Sequence, residues 1–387
     1  MYSQNDLDEA VASGAMSTES ATALRSFVER QRALPSVDEE HFRLITGFND
    51  IFVSIAAAIL LFAVGWIGQS IGAALGLVIS ERGDGGPSFV APAAIAAMAW
   101  GLAMFFTAKR RMALPSILFV FAFVGGVLAA VGFAGAQIVF SLGDPALNNP
   151  LLRDQSTGAV VFGTIGAIAF AVAAAAAWLH WRTFKVPVTI AAGAAAAAGI
   201  ALAIVAAIVG DKVENMRDIL LGATLVLGIG MFLFAMRWDS SDPARVTRRS
   251  DVAFWLHLLA APMIVHPVFT LLGLNDGNAS VAEGLVVVLL YIALGVTALA
   301  IDRRALLVSA LAYVLFALQA LFSKFGAVEL NVALTALVIG SSLLLLSAFW
   351  HQARVMVVRP LPEALRSKLP NLQRPLLEQD AIPQAAA

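Results

Sequence analysis

From Ile51 onward the chain alternates long apolar runs with short polar ones. Ten runs are long enough, at about 17–25 residues or more, for an α-helix to cross roughly 30 Å of hydrocarbon. They are Ile51–Ser80, Ala91–Thr107, Ala113–Phe140, Gly158–Trp181, Val186–Gly210, Ile219–Met236, Val252–Gly273, Gly284–Ile301, Ala305–Phe322 and Val328–Trp350. A helix satisfies its own backbone polar groups, as lipid requires. The runs are continuous and not alternating, which argues against an outer-membrane barrel. The pattern predicts an all-α, polytopic transmembrane helix bundle. In the first run, "GQSIGAALG" places Gly68, Gly72 and Gly76 four residues apart, a flat ridge for close helix packing. Packing within the chain is the expected use, and the face of a homo-oligomer is the alternative.

The ends are patterned differently. Residues 4–34 read as a helical hairpin, with Leu7 and Val11 on one face of a first short helix. Gly14 suits the position just past its end. Ser17 suits the cap of a second helix, whose apolar stripe is Leu24, Phe27 and Val28, closed by Pro35. The carboxy-terminal "RPLPEALRSKLPNLQRPLL" alternates Arg359, Arg366, Lys368 and Arg374 with Leu361, Leu365 and Leu369. An amphipathic turn lying on anionic membrane lipid accounts for that. Three regions follow: a hairpin and linker at 1–45, a membrane domain at 46–350, and an amphipathic and disordered tail at 351–387.

Charge orients the bundle. Of 25 Lys and Arg residues, 20 fall in the two termini and the even-numbered connections, and only Arg82, Arg153, Lys212, Arg217 and Lys324 fall in the others. By the positive-inside rule this places both termini in the cytoplasm of a bacterial cell whose inner membrane holds the chain. Residues 1–44 contain no long apolar run, so no signal peptide is expected and the first span serves as the targeting element. Only 13% of residues are charged and the net charge is −1, which gives no basis for nucleic-acid binding. There are no cysteines, hence no disulfide, thiolate metal site or cysteine nucleophile.

Ionisable and amide groups at membrane depth are costly and mark candidate sites. They are His257 and His266 in the seventh span, Gln137 in the third, Gln319 in the ninth and Asn331 in the tenth. No Lys, Arg, Asp or Glu falls at the centre of a span. Nine helical residues put His257 and His266 on opposite faces, about 13.5 Å apart, so they cannot share one metal ion. Pro262 and Pro267 each free a carbonyl, at Leu258 and Met263, and are expected to kink the span. His180 and His351 stand beside tryptophans at span ends and are assigned to the membrane interface. No phosphate loop, paired-histidine zinc motif or nucleophile elbow is present, so neither a metal, a cofactor nor catalysis is expected.

Transporters are often built from repeats. "FNDIF" opens the first span and "RSDVAF" the seventh; "KRRMALPSIL" opens the third and "DRRALLVSAL" the ninth. These echoes suggest a parallel four-helix duplication. The hairpin "LDEAVASGAMSTESATAL" and the tail "RPLPEALRSKLP" resemble uncharacterised bacterial families of multi-pass inner-membrane proteins, domains of unknown function. The resemblance implies location and architecture only. The ten-span layout with both ends inside is also similar to that of drug/metabolite transporters, whose duplication is inverted where this one is parallel. The expected function is that of a permease-like or cavity-forming protein for a small or apolar solute, not an enzyme, with an integral lipid-modifying enzyme as the third-ranked alternative. The alternative is a membrane scaffold or assembly protein acting on a partner through the hairpin or tail. In that case, removing residues 1–34 would abolish a co-purifying complex while the core stays folded.

Overall fold

The computed structural model describes residues 11, 13–14, 16–24, 48–79, 85–141, 155–210, 215–242, 247–272, 281–304, 307, 311, 315, 331–366 and 369. The chain divides into two compact units, Met1–Phe42 and Arg43–Ala387. In the first, Gly14 adopts φ +73° and its N–H donates to Val11 O at 3.1 Å. The Ser17 hydroxyl then accepts from the Ser20 N–H at 3.1 Å, starting a helix over 18–24. Leu7, Phe27, Val28 and Pro35 lie outside the described residues.

The second unit is all-helical among its described residues. Its elements are α1 (Phe48–Ala74), α2 (Val90–Leu102, continued by a π-turn at Ala103–Thr107), α3 (Ala113–Ser141), α4 (Gln155–Phe184) and α5 (Val188–Val209). Then come α6 (Met216–Ser240), α7 (Arg248–Leu271), α8 (Val281–Ile301), α9 (Asn331–Ala348), α10 (Trp350–Val358) and α11 (Glu363–Arg366). Helices α1 to α7 are long and apolar enough to cross a membrane, which makes seven among the described residues. The bent pair formed by α9 and α10 would make eight, and Leu289–Ile301 is a shorter apolar helix. Ten crossings were expected. The expected ninth span, Ala305–Phe322, lies outside the described residues apart from Leu307, Leu311 and Leu315.

Neighbours in sequence are neighbours in space. Helix α2 packs on α1 and α3, α4 on α3 and α5, and α6 on α7, while α5 also meets α7. Lipid removes the hydrophobic drive between helices, so close backbone approach must supply the contact. Small residues supply it here. A Cβ added at Gly68 would lie 2.9 Å from Ala91 Cα, at Gly126 2.7 Å from Pro92 O, and at Gly163 2.6 Å from Ala207 Cβ. A Cβ at Gly72 would collide with Ser88. The third glycine of that series is a different case. Gly76 has φ +68° and open space where a side chain would be. It closes α1 in a Schellman motif, with Leu77 N donating to Gly72 O at 2.8 Å and Gly76 N to Ala73 O at 3.1 Å. The expectation that Gly76 belongs to the packing ridge is therefore corrected: the helix ends before reaching it.

The tail also departs from expectation. The last membrane helix turns by 76° between α9 and α10. Trp350 and Val358 then pack with Ala298, Leu299 and Ile301 of α8, and Leu369 joins the same cluster. Residues 350–358 are thus an ordered helix laid on the bundle, and Leu369 is buried against protein while Leu365 stays exposed. Lys368 and Arg374 lie outside the described residues.

Candidate functional site

The polar centre of the second unit is an acid held by three helices. Helix α6 was expected to stop at Met236, but it continues to Ser240 and carries Asp239 into the interior, where 2% of it is exposed. Arg303 meets it from just past the end of α8. Its Nη2 donates to Asp239 Oδ1 at 2.6 Å and its Nε to Oδ2 at 3.2 Å. Such a two-point bond is the strongest geometry available to this pair. The same Nη2 also donates to Ser250 O and Oγ, both at 3.2 Å, at the start of α7. About two turns further along α7, His257 Nε2 lies 3.4 Å from Asp239 Oδ2. His257 is 0% exposed, and the Phe232 ring covers it edge-on at 5.3 Å.

The local sequence explains how Arg303 enters the bundle. Helix α8 ends in a second Schellman motif, with Arg303 N donating to Ala298 O at 2.8 Å and Asp302 N to Leu299 O at 3.3 Å. Asp302 occupies the left-handed position at φ +56°, which aspartate tolerates better than most residues. The reversal turns the next side chain back over the helix. Asp302 itself accepts from Trp350 Nε1 at 2.8 Å, and Arg354 Nε lies 3.8 Å from the same oxygen. Arg304 Cζ sits 4.8 Å over the Trp350 ring. Two acid–base pairs therefore join α6, α7, α8 and α10 at one end of the bundle.

Helix α7 runs unbroken through Pro262 and Pro267. Pro267 has no N–H to give the Met263 carbonyl. That carbonyl faces Gly228 of α6, where an added Cβ would be 2.8 Å from Met263 O. The freed acceptor thus lies at the closest approach of α6 to α7. Pro262 is exposed and Pro267 buried.

The remaining candidates do not converge. His266 is exposed, as its nine-residue separation from buried His257 dictates, and does not join the acid cluster. Gln137 is half-buried on α3, and its Oε1 is buried without a hydrogen bond. Asn331 opens α9, and its side chain and all of Gln319 lie outside the described residues. Among the described residues, no group of three His, Cys, Asp or Glu could hold a metal ion.

Besides Arg303, which was counted among the cytoplasmic cations, two groups escaped the sequence reading. Asp239 was one. "RWDSSD" reads as a polar exit from a span, and only the four-residue continuation of α6 brings the acid inside. The other was His180, assigned to the interface with Trp178. Trp178 is 58% exposed, as an interfacial ring should be, but His180 is 0% exposed. Its Nδ1 lies 3.2 Å from the Thr189 hydroxyl, and Trp100, Phe123 and Phe184 surround the imidazole at 6.1, 5.8 and 4.6 Å. Two residues of helix turn one side chain by about 200°, so neighbours of an interfacial tryptophan can face the core. Comparison with family models, curated proteins and solved structures finds no match.

Proposed function

We propose that this is a ten-span protein of a bacterial inner membrane, with both termini in the cytoplasm, acting as a permease-like carrier for a small solute. The observation that supports it is the buried His257–Asp239–Arg303 cluster. Ionisable groups inside an apolar helix bundle are expensive and are retained where they act on a solute or a proton. Arg303 balances the charge of the carboxylate, and the His257 imidazole beside it carries ring nitrogens able to donate or accept a hydrogen bond. Such a centre suits the recognition of a polar atom on a small, mostly apolar solute. Neither a metal nor a cofactor is invoked.

The test is uptake into proteoliposomes. Wild-type protein, His257→Ala and His266→Ala are reconstituted side by side and incubated with a pooled small-solute extract, and the vesicle contents are read by mass spectrometry. Wild type should accumulate at least one solute above protein-free vesicles. His257→Ala should reduce that uptake by about tenfold or more, the loss of one interaction worth about 1.4 kcal/mol or more, while His266→Ala changes it less. Wild-type vesicles indistinguishable from empty ones across the whole extract would overturn the carrier reading.

A further inference from the structure

Three cations at one end of the α2–α5 region lie against aromatic rings. Arg110 Cζ is 5.6 Å from the Phe105 ring centroid, Arg182 Cζ 4.9 Å from Trp178 and Lys185 Nζ 5.4 Å from Trp181. Arg182 and Lys185 follow their rings by four residues, about one helical turn. Arg110 follows Phe105 by five, a spacing that an α-helix would rotate out of line. The π-turn closes the difference, since Arg110 N donates to Phe105 O at 3.0 Å. Both sets share one end because Phe184, at the end of α4, packs on Trp100 of α2 at 5.1 Å and clusters with Ala103 and Phe106. Lys109 and Arg111 complete the group, and all five cations are exposed. Met104, Phe105, Trp178 and Leu179 are exposed apolar side chains on the same helix ends.

Among the described residues this end is unbalanced in charge. No Asp or Glu occurs between Val90 and Ser141 or between Gln155 and Gly210. Asp50, at the start of α1, is buried. Of the acids in the α6–α8 region, Asp239 is engaged with Arg303, Asp302 with Trp350 and Asp242 with the Thr247 hydroxyl at 2.6 Å, while Asp251 is half-buried at the start of α7. Exposed cations bordering exposed aromatic and aliphatic side chains fit an anion that carries its own apolar chains.

We propose that the α2–α3 and α4–α5 turns bind the headgroup of an anionic phospholipid. The phosphate sits among Arg110, Arg111, Arg182 and Lys185, and the acyl chains run along Phe105, Trp178 and Leu179. An acidic protein segment would meet only the cations and leave those apolar side chains uncovered. The assignment does not depend on the carrier reading.

Full-length protein in neutral detergent is titrated with phosphatidylglycerol or phosphatidylcholine, and retained lipid is counted by native mass spectrometry. Wild type should prefer phosphatidylglycerol by about tenfold or more, with roughly fivefold lost per cation removed, and the preference should shrink as salt rises. The combined variant K109Q/R110Q/R111Q/R182Q/K185Q should lose the preference. R110K/R111K/R182K should keep it, and so should the tail variant R359Q/R366Q/K368Q/R374Q. If the glutamine variant aggregates, the lysine variant and the salt series on wild type decide. Four results would overturn the proposal: no preference in wild type, a preference surviving in a monodisperse glutamine variant, loss of it in the tail variant, or complete displacement of the lipid by inorganic phosphate.

Discussion

Asp239 shows what one acid costs and what it organises. Its carboxylate is out of contact with water, and two N–H groups of Arg303 donate to it. A buried pair of this kind often adds little net stability, yet removing one partner leaves the other charge uncompensated. Asp239→Asn should therefore destabilise the fold by about 3–5 kcal/mol. The double variant Asp239→Leu/Arg303→Met, which replaces the pair with apolar side chains, should recover most of that loss. Thermal melting in detergent, followed by circular dichroism, compares the two. A double variant as unstable as the single would mean that the pair is held by something other than its own charge balance. Arg303 illustrates the limit of reading charge from sequence. Its position beside a span end marks it as a cytoplasmic, water-facing cation, which is how 20 of the 25 basic residues were used. Its neighbour's left-handed backbone is what turns it inward, and no apolar pattern encodes that.

At the scale of elements, the sequence carried the helices well and their ends poorly. Apolar runs specify where a helix can lie in lipid, so α1 to α7 follow the expected spans closely. Ends are set by hydrogen bonds of a few residues. α6 outlasts its apolar run because Asp239 has a partner inside, and α1 stops at Ala74, well short of Ser80, because Gly76 permits the reversal. The four-residue glycine spacing made the Gly68–Gly72 ridge legible, while the same spacing misplaced Gly76. The 76° turn before α10 was invisible for a related reason: Trp350 looks like one more interfacial ring, but its indole N–H is bonded to Asp302, 48 residues away. That bond can be tested alone. Trp350→Phe keeps a ring beneath Arg304 and removes only the donor. A hydrogen bond to a charged acceptor contributes about 1.5–3 kcal/mol. Amide hydrogen exchange across 350–358 should accelerate accordingly, with little change in α3 or α4. Unchanged exchange would show that the apolar contacts of Trp350 and Val358 hold α10 without it.

For the whole molecule, the two polar clusters bear on how often the chain crosses. Arg303, just past α8, is bonded both to the end of α6 and to the start of α7. Those three helix ends therefore lie on one side, and α7 with α8 forms an out-and-back pair. Trp350, just past α9, is bonded to Asp302, so α9 also finishes on that side. Its 18 residues extend about 27 Å, and Ile339 packs with Val265 and Phe269, far along α7 from Ser250. Helix α9 must then begin near the side opposite to Arg303. That placement of α8 and α9, together with the alternation of basic residues in the sequence, is what the proposed ten crossings rest on against the seven helices long and apolar enough to cross. Ten and seven crossings differ in a measurable way. An even number puts both termini on one side, whereas seven puts them on opposite sides. Green fluorescent protein fused after Ala387 should fluoresce and alkaline phosphatase at the same position should stay inactive. Phosphatase inserted near Asn148 or Asn278 should be active. An active phosphatase at the carboxy terminus would require an odd number of crossings and overturn the proposed ten.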